Sequence, residues 1–310
     1  MLTRLKALTV HIEAVKGTAL ETSPISILTE DLSINPSTEF TSRKGHGLYT
    51  GYNEKGVLGL FTGTCSFRTE LRGNGTNGLH PGVAALLQGC GVKQNALVYT
   101  LPTTSVADQK TLTLTVYEDG LKKQLFGSMG TCTIEGSTGE RVFLNFEFQG
   151  CYDASAWVTD ANMATADAGA ALPMIFRGGI FTIATTPKRI GRMTLDLGAQ
   201  VVQTADLNAE SGIAFYQITE CDPAISIDPE VQLVATDVHY DDWLAMTENA
   251  AKIQFSDGLT TVTIDITKMQ YKDITTGDRN GIFVHEINAQ CNNTEATAIT
   301  ITTAAVASGE

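Results

Sequence analysis

Apolar and polar residues alternate with a period of two through much of this chain, most plainly over residues 111–151. Leu112, Leu114 and Val116 interleave with Thr111, Thr113 and Thr115, so an extended backbone carries apolar side chains on one face and hydroxyls on the other. Glu118-Asp119-Gly120 then supplies a hairpin turn, because Asp-Gly tolerates the positive φ angles of a tight connection. A second turn at Gly136-Ser137-Thr138-Gly139 leads into a last strand, where Val142, Leu144, Phe146 and Phe148 share one face and Asn145, Glu147 and Gln149 the other.

The same plan recurs over residues 251–291. Asp119-Gly120 matches Asp257-Gly258, and Gly139-Glu140-Arg141 matches Gly277-Asp278-Arg279 at the same spacing, so the three-strand unit is duplicated. In the second copy the last strand sets Val284, Glu286 and Asn288 against Phe283, His285 and Ile287.

The rest of the chain fits around the two units. Residues 7–15 and 63–72 alternate like strands, residues 32–34 begin a short one, and the Thr/Ser/Pro-containing segment between the first two strands predicts an arm or loop. Residues 36–58 are rich in glycine, basic and aromatic residues without periodicity, which predicts a long loop, mobile or ordered by a partner. Residues 81–87 predict a short helix with Pro81 in its first turn and Gly89 or Gly91 as its stop. Residues 93–110 form a polar insertion without a counterpart in the second copy, and the Ala/Asp/Thr-rich residues 153–173 a connector. Residues 193–197 parallel 31–35, and 224–228 parallel 66–70. Residues 237–249 parallel the first helix, with Asp237 as N-cap and Trp243, Leu244 and Met246 for packing. The expected fold is mainly β: two tandem sandwich- or barrel-like domains, residues 1–152 and 174–310, each with one short flanking helix.

Composition narrows the functions open to such a fold. At 43% hydrophobic and 18% charged, 310 residues can bury a large core. A net charge of -13 argues against tight binding to a phosphate backbone, which needs clustered Lys and Arg. The first residues lack a leader's apolar stretch and no run is long enough to span a membrane, so the reading is a soluble protein folded in the cytosol. The six scattered cysteines, Cys65, Cys90, Cys132, Cys151, Cys221 and Cys291, form no C-x-x-C pair and read as small buried hydrophobes in a reducing compartment.

No catalytic constellation emerges, and no cofactor or metal is expected. The five histidines lie in different elements, and nucleotide, hydrolase and metalloprotease motifs are missing. Asp237, His239, Asp241 and Asp242 are the best metal candidates, yet they read better as an acidic first turn complementing a helix dipole. Asp160, Asn162 and Asp167 imitate a calcium loop without its glycine and terminal glutamate. Asn74 and Asn292 head glycosylation-type triplets, which have no force without secretion. The residues alone leave two readings for the polar face of the last strands: an ordinary wet surface or a functional one.

Five segments carry a resemblance to a family: LTVHIEAVKGTAL; GLYTGYNEKGVLGLFTGTCSFRTELRG followed by HPGVAALLQGCG; and AISIDPEVQLVATDVHYDDWLAMTENAAKIQF with GDRNGIFVHEINAQCNN. They resemble major tail tube proteins of long-tailed bacteriophages, in the pattern of elements across nearly the whole chain. The resemblance implies a β-sandwich flanked by a helix, whose sheet joins those of its neighbours into a barrel around a lumen. Rings of such subunits stack into the conduit through which DNA leaves the virion.

Six tube domains per ring are usual in that family, so a chain with two implies a homotrimeric ring with pseudo-sixfold symmetry and head-to-tail contacts. Asn145, Glu147, Gln149, Glu286 and Asn288 are then the lumen-facing candidates, lining a wall along which DNA passes as a guest. Arg43, Lys44, His46, Tyr49 and Tyr52, with the N-terminal segment, are the candidates for contact with the adjacent ring. The implied partners are further copies of the chain and tail proteins such as the tape measure, terminator and distal tail proteins. The implied location is the virion tail, assembled in the host bacterial cytoplasm. A type VI secretion-like tube protein is a rival that the duplication disfavours. A capsid decoration or carbohydrate-binding β-sandwich would stay monomeric and bind glycans; an enzyme would need a hydrolysis that depends on His239 or Asp241.

Overall fold

The computed structural model describes residues 6–47, 51–102, 105–152, 157–159, 171–232, 238–293 and 297–306. They fold mainly as antiparallel β-structure with two short α-helices. The first half contains β1 (Lys6–Ile12), β2 (Ile25–Ile27), β3 (Glu30–Gly45), β4 (Tyr52–Glu70), α1 (Pro81–Gly89), β5 (Lys93–Asn95), β6 (Val98–Leu101), β7 (Leu112–Glu118), β8 (Leu121–Ser137), β9 (Phe143–Cys151) and β10 (Trp157–Thr159). The second contains β11 (Ile180–Ile183), β12 (Thr186–Pro187), β13 (Ile190–Asp196), β14 (Ala199–Ala205), β15 (Ile213–Cys221), β16 (Ala224–Pro229), α2 (His239–Leu244), β17 (Glu248–Ser256), β18 (Thr260–Arg279), β19 (Ile282–Asn292) and β20 (Ile299–Ala305).

Strand pairing repeats between the halves. In the first copy one layer runs β2-β1-β7-β8-β10 and the other β3-β4-β9-β8. In the second copy the layers run β12-β11-β17-β18-β20 and β13-β16-β19-β18. The long strands β8 and β18 belong to both layers of their copy. β8 crosses over near Gly127 (φ +57), where its register shifts against β7 and β9. The buried Glu13 carboxylate holds that corner, accepting from Gly127 N (2.7 Å), Gly17 N (2.8 Å) and the hydroxyls of Thr111 (2.6 Å) and Thr113 (2.9 Å).

The copies are spliced, not merely strung together. β13 of the second copy pairs with β8 of the first, from Arg192 opposite Ser137 to Asp196 opposite Thr133. A single apolar cluster spans both copies, including Leu8, Leu114, Phe148, Leu195, Ile264 and Ile287.

The tight turns follow local chemistry. Asp119 (φ +39) and Gly120 (φ +88) join β7 to β8 as expected. The β18–β19 turn lies at Asn280 (φ +55) and Gly281 (φ +84), beyond Gly277-Asp278-Arg279, because Asn-Gly takes two successive positive φ angles more readily. Helix α1 is almost wholly buried and His80 Nδ1 accepts from Gly82 N (3.2 Å); Gly89 is its last residue and Gly91 (φ +80) redirects the chain. Helix α2 packs through Trp243, which donates Nε1–H to Lys272 O (3.2 Å), whereas Leu244 and Met246 are exposed rather than packed. Asp237 lies outside the described residues, as do Asp160, Asn162 and Asp167.

Four expectations for the connecting segments are corrected. The described part of 36–58 is not a loop but the outer part of a β3–β4 hairpin, here called arm 1, with Phe40 opposite Leu58 and Gly45 opposite Tyr52. Both its faces are exposed, so no apolar alternation marks it. Aromatic rings cover its glycines instead: a Cβ on Gly56 would stand 2.2 Å from the Phe40 ring. The 93–110 insertion supplies β5 and β6, and β6 pairs with β20 of the second copy, Tyr99 opposite Ile301. The 153–173 connector contains β10, paired with β8. The segment after β1 is no free arm either: Leu20 N donates to Thr113 Oγ1 (3.1 Å), and Glu21 pairs with Lys122.

Candidate functional site

The splice creates one sheet of eight strands, β3-β4-β9-β8-β13-β16-β19-β18, and register fixes which residues line up across it. One row runs Glu30, Arg68, Asn145, Thr133, Asp196, Ala224, Gln290, Gln270. The next runs Glu135, Thr194, Ser226, Asn288, Asp273 across the second half. Because side chains alternate along each strand, Glu147 and Gln149 share Asn145's face and Glu286 shares that of Asn288. The five predicted residues therefore lie on one face of a single sheet. The opposite face is core, with Phe67, Phe146 and Phe148 ring centroids 5.5–6.1 Å apart.

That shared face is hydroxyl- and amide-rich, and acids outnumber cations on it. Arg192 Nη2 meets Glu286 Oε1 at 2.6 Å, and Arg68 reaches Glu30 at 2.9 Å. Glu147 and Asn288 are exposed, and Asn145, Gln149 and Glu286 half-buried. The β19 end departs from expectation: Phe283 is 67% exposed and Val284 2%. There the strand is covered by the segment after β16, with Val231 N donating to Phe283 O (3.0 Å).

Two edges of the sheet lack a further strand among the described residues, although Lys6 Nζ donates to Leu32 O on β3 (3.2 Å) and Trp243 to Lys272 O on β18. Among the described residues β3 pairs only with β4, and β18 beyond Tyr271 pairs only with β19. These edges match the two sides of the β8–β13 splice: β3 occupies the place of β13, and the end of β18 that of the end of β8.

Each copy also carries a hairpin arm. Arm 1 projects, and Arg43, Lys44, His46 and Tyr52 on it are exposed, as are Phe40, Val57 and Leu58; Tyr49 lies outside the described residues. Arm 2, formed by β14 and β15, is folded back onto the first copy, where Ile213, Tyr216 and Ile218 bury Met129 and Cys151. Gln109 locks it, donating Nε2–H to Ile218 O (2.8 Å) and accepting from Ile218 N (3.3 Å). Phe61 N, at the base of arm 1, donates to Ser211 O near the tip of arm 2 (3.1 Å). Arm 2 escaped the sequence reading, although Tyr216 and Ile218 alternate and an Asp206-led turn precedes them; Asp206 Oδ1 accepts from Asn208 N at 2.8 Å.

Paired ion networks close the sheet's end in both copies. Arg141 binds Glu70, and Arg279 binds Asp228 (3.0 Å) and Glu230 (2.8 Å). Asp228 also accepts from Gly191 N (2.7 Å) and Arg192 N (2.8 Å).

Beside α2, His239, Tyr240, Tyr271 and His285 gather with neighbouring ring centroids 5.2–5.8 Å apart. Among the described residues no cluster of three His, Cys, Asp or Glu side chains could hold a metal ion. His239 is buried against Tyr271 (Nδ1 to hydroxyl, 3.0 Å), and Asp241 and Asp242 sit in the first turn of α2. All six cysteines are free thiols, five of them buried; burial pushes Cys65 and Cys291 up to about 12, which removes them as nucleophiles. No helix among the described residues is long and apolar enough to cross a membrane. A scan against protein-family models and a search of curated proteins find no match.

Proposed function

We propose that the chain is a structural subunit that polymerises head to tail into closed rings, stacked as a phage-type tail tube. One observation carries the reading. A chain that already splices two copies through β8 and β13 ends in the two edges needed to repeat that splice, β3 on one side and the end of β18 on the other. Exposed strand edges are templates for further pairing, and a heterologous contact that closes makes a ring. Three chains would give the pseudo-sixfold ring implied by the family resemblance.

The eight-strand face then becomes the wall of a lumen. Its hydroxyls, amides and excess carboxylates offer a passing polyanion no clustered cations to bind. Asn145, Glu147, Gln149, Glu286 and Asn288 are the wall residues of this reading; tape measure, terminator and distal tail proteins are its further partners, and the virion tail its location. Electron microscopy of the purified protein tests it: rings or tubes are expected, and a protein that stays monomeric at high concentration would overturn it.

A further inference from the structure

Arm 1 exposes the apolar side chains Phe40, Val57 and Leu58, and arm 2 shows where such a hairpin goes. Both arms leave the eight-strand sheet from adjacent strands, β3–β4 in one copy and β13–β16 in the other. Both carry proline and glycine at the base. In arm 1, Pro36 stands opposite Gly63. In arm 2, Gly198 (φ +60) accepts through its carbonyl from Asp222 N (3.0 Å), and Pro223 follows. Proline withholds a ladder donor and glycine tolerates a sharp bend, so both bases are built to flex. At the second base the hairpin has bent away and forms its own two-stranded sheet. At the first the hairpin continues the β3–β4 ladder, with register shifts after Thr38 and Thr41.

Arm 2 bends over the copy to which its own strand is spliced. It comes to rest with its tip on the base of arm 1: a Cβ on Gly212 would stand 2.5 Å from Leu60, and Ser211 bonds Phe61. Among the described residues the base of arm 2 carries no such hairpin tip: Gln200 and Glu220 are exposed, and Val202, 47% exposed, lines a groove opposite Pro36 and Gly63 of arm 1. Charge favours the same match: arm 1 carries Arg43, Lys44 and Lys55 against Glu39 and Glu54, a positive surplus, and the base of arm 2 carries Glu220 and Asp222, the latter 3.9 Å from Lys272. Phe40, Val57 and Leu58 supply the apolar contacts.

We propose that in the assembled ring arm 1 bends at Pro36 and Gly63 and lies across the second copy of the neighbouring chain, its tip on the base of that chain's arm 2. Every arm then covers the base of the preceding one, and the arms close into a belt. The inference rests on the ring reading above. It assigns arm 1 to the ring itself and not to the adjacent ring.

Disulfide trapping tests it. The double variant Tyr52→Cys, Glu220→Cys, with each single variant as control, is oxidised with copper phenanthroline, and electron microscopy of the same sample scores assembly. The expected result is a covalent ladder that ends at three chains. A ladder running past three chains, or rings without a link, overturns the arm assignment and leaves the ring reading standing. A sample without rings overturns both. As a second measurement on the unaltered protein, amide exchange over residues 37–62 is expected to slow at least tenfold on assembly; unchanged exchange overturns the inference.

Discussion

Leu195 of β13 lies opposite Ile134 of β8, and both are fully buried. The contact joins residues from the two copies, yet its register and burial match those of pairs within a copy, such as Ile227 opposite Ile287. β13 has strands on both sides, so Thr194→Pro removes a donor from the middle of a sheet. We expect it to cost about 3 kcal/mol or more, read from chemical denaturation.

The free edge of β18 should respond differently. Backbone N–H groups along a strand point alternately to either side. A proline scan of residues 273–277 is therefore expected to alternate: positions facing β19 destabilise the monomer, and those facing outward leave its melting temperature unchanged but block ring formation. Assembly that survives the whole scan would show that this edge is not a joint.

Charge on the polar face should matter to a guest and not to the fold. Glu135→Lys with Glu147→Lys is expected to change stability by no more than about 0.5 kcal/mol per site. In assembled particles the double variant should retain DNA in a gel-shift assay at low salt and release it as salt rises. The unaltered protein should retain none.

Glu13 predicts a pH dependence. Burial raises its carboxyl above the ordinary range, against the opposing effect of the Thr111, Gly127, Thr113 and Gly17 donors. The folded chain thus holds this proton more tightly than the unfolded chain. Its contribution to stability is greatest below the unfolded value, about 4.3, and falls as pH rises through the folded value. Glu13→Gln should abolish that slope. It should also cost about 1–3 kcal/mol at neutral pH, because an amide nitrogen placed on either side would face a backbone N–H donor.

Asp228 and Arg279 form the second copy's closing network. Asp228→Ala leaves two backbone N–H groups and the guanidinium short of an acceptor, for an expected loss of about 3 kcal/mol. Asp228→Asn should lose less, since its amide oxygen still accepts. Melting temperatures of the two variants check the order.

Much of this architecture was legible in the chain. Alternation at Leu112–Val116 and at Leu144–Phe148 marked strands with one buried face, and the two Asp-Gly sites marked their repetition. The arms were not legible, for opposite reasons. Arm 1 is exposed on both faces, so Phe40, Val57 and Leu58 show no period. Arm 2 gathers Ile213, Tyr216 and Ile218 against Met129 and Cys151, residues distant in sequence, and β-bulges break its register. The splice was hidden as well, because nothing in Arg192–Asp196 distinguishes a strand with two neighbours from one with a free edge. The five polar-face residues were found because their alternation is local; that they share one sheet depended on the splice.

The β8–β13 splice also has a consequence for concentration. Two partners that meet by diffusion lose translational and rotational freedom, a cost estimated at about 4–15 kcal/mol. Within one chain that joint forms at an effective concentration set by the connector, independent of how much protein is present. In a three-chain ring every second joint would thus be made as each subunit folds. Nucleation would then need the meeting of three bodies rather than six, so the concentration dependence of assembly should be correspondingly shallow.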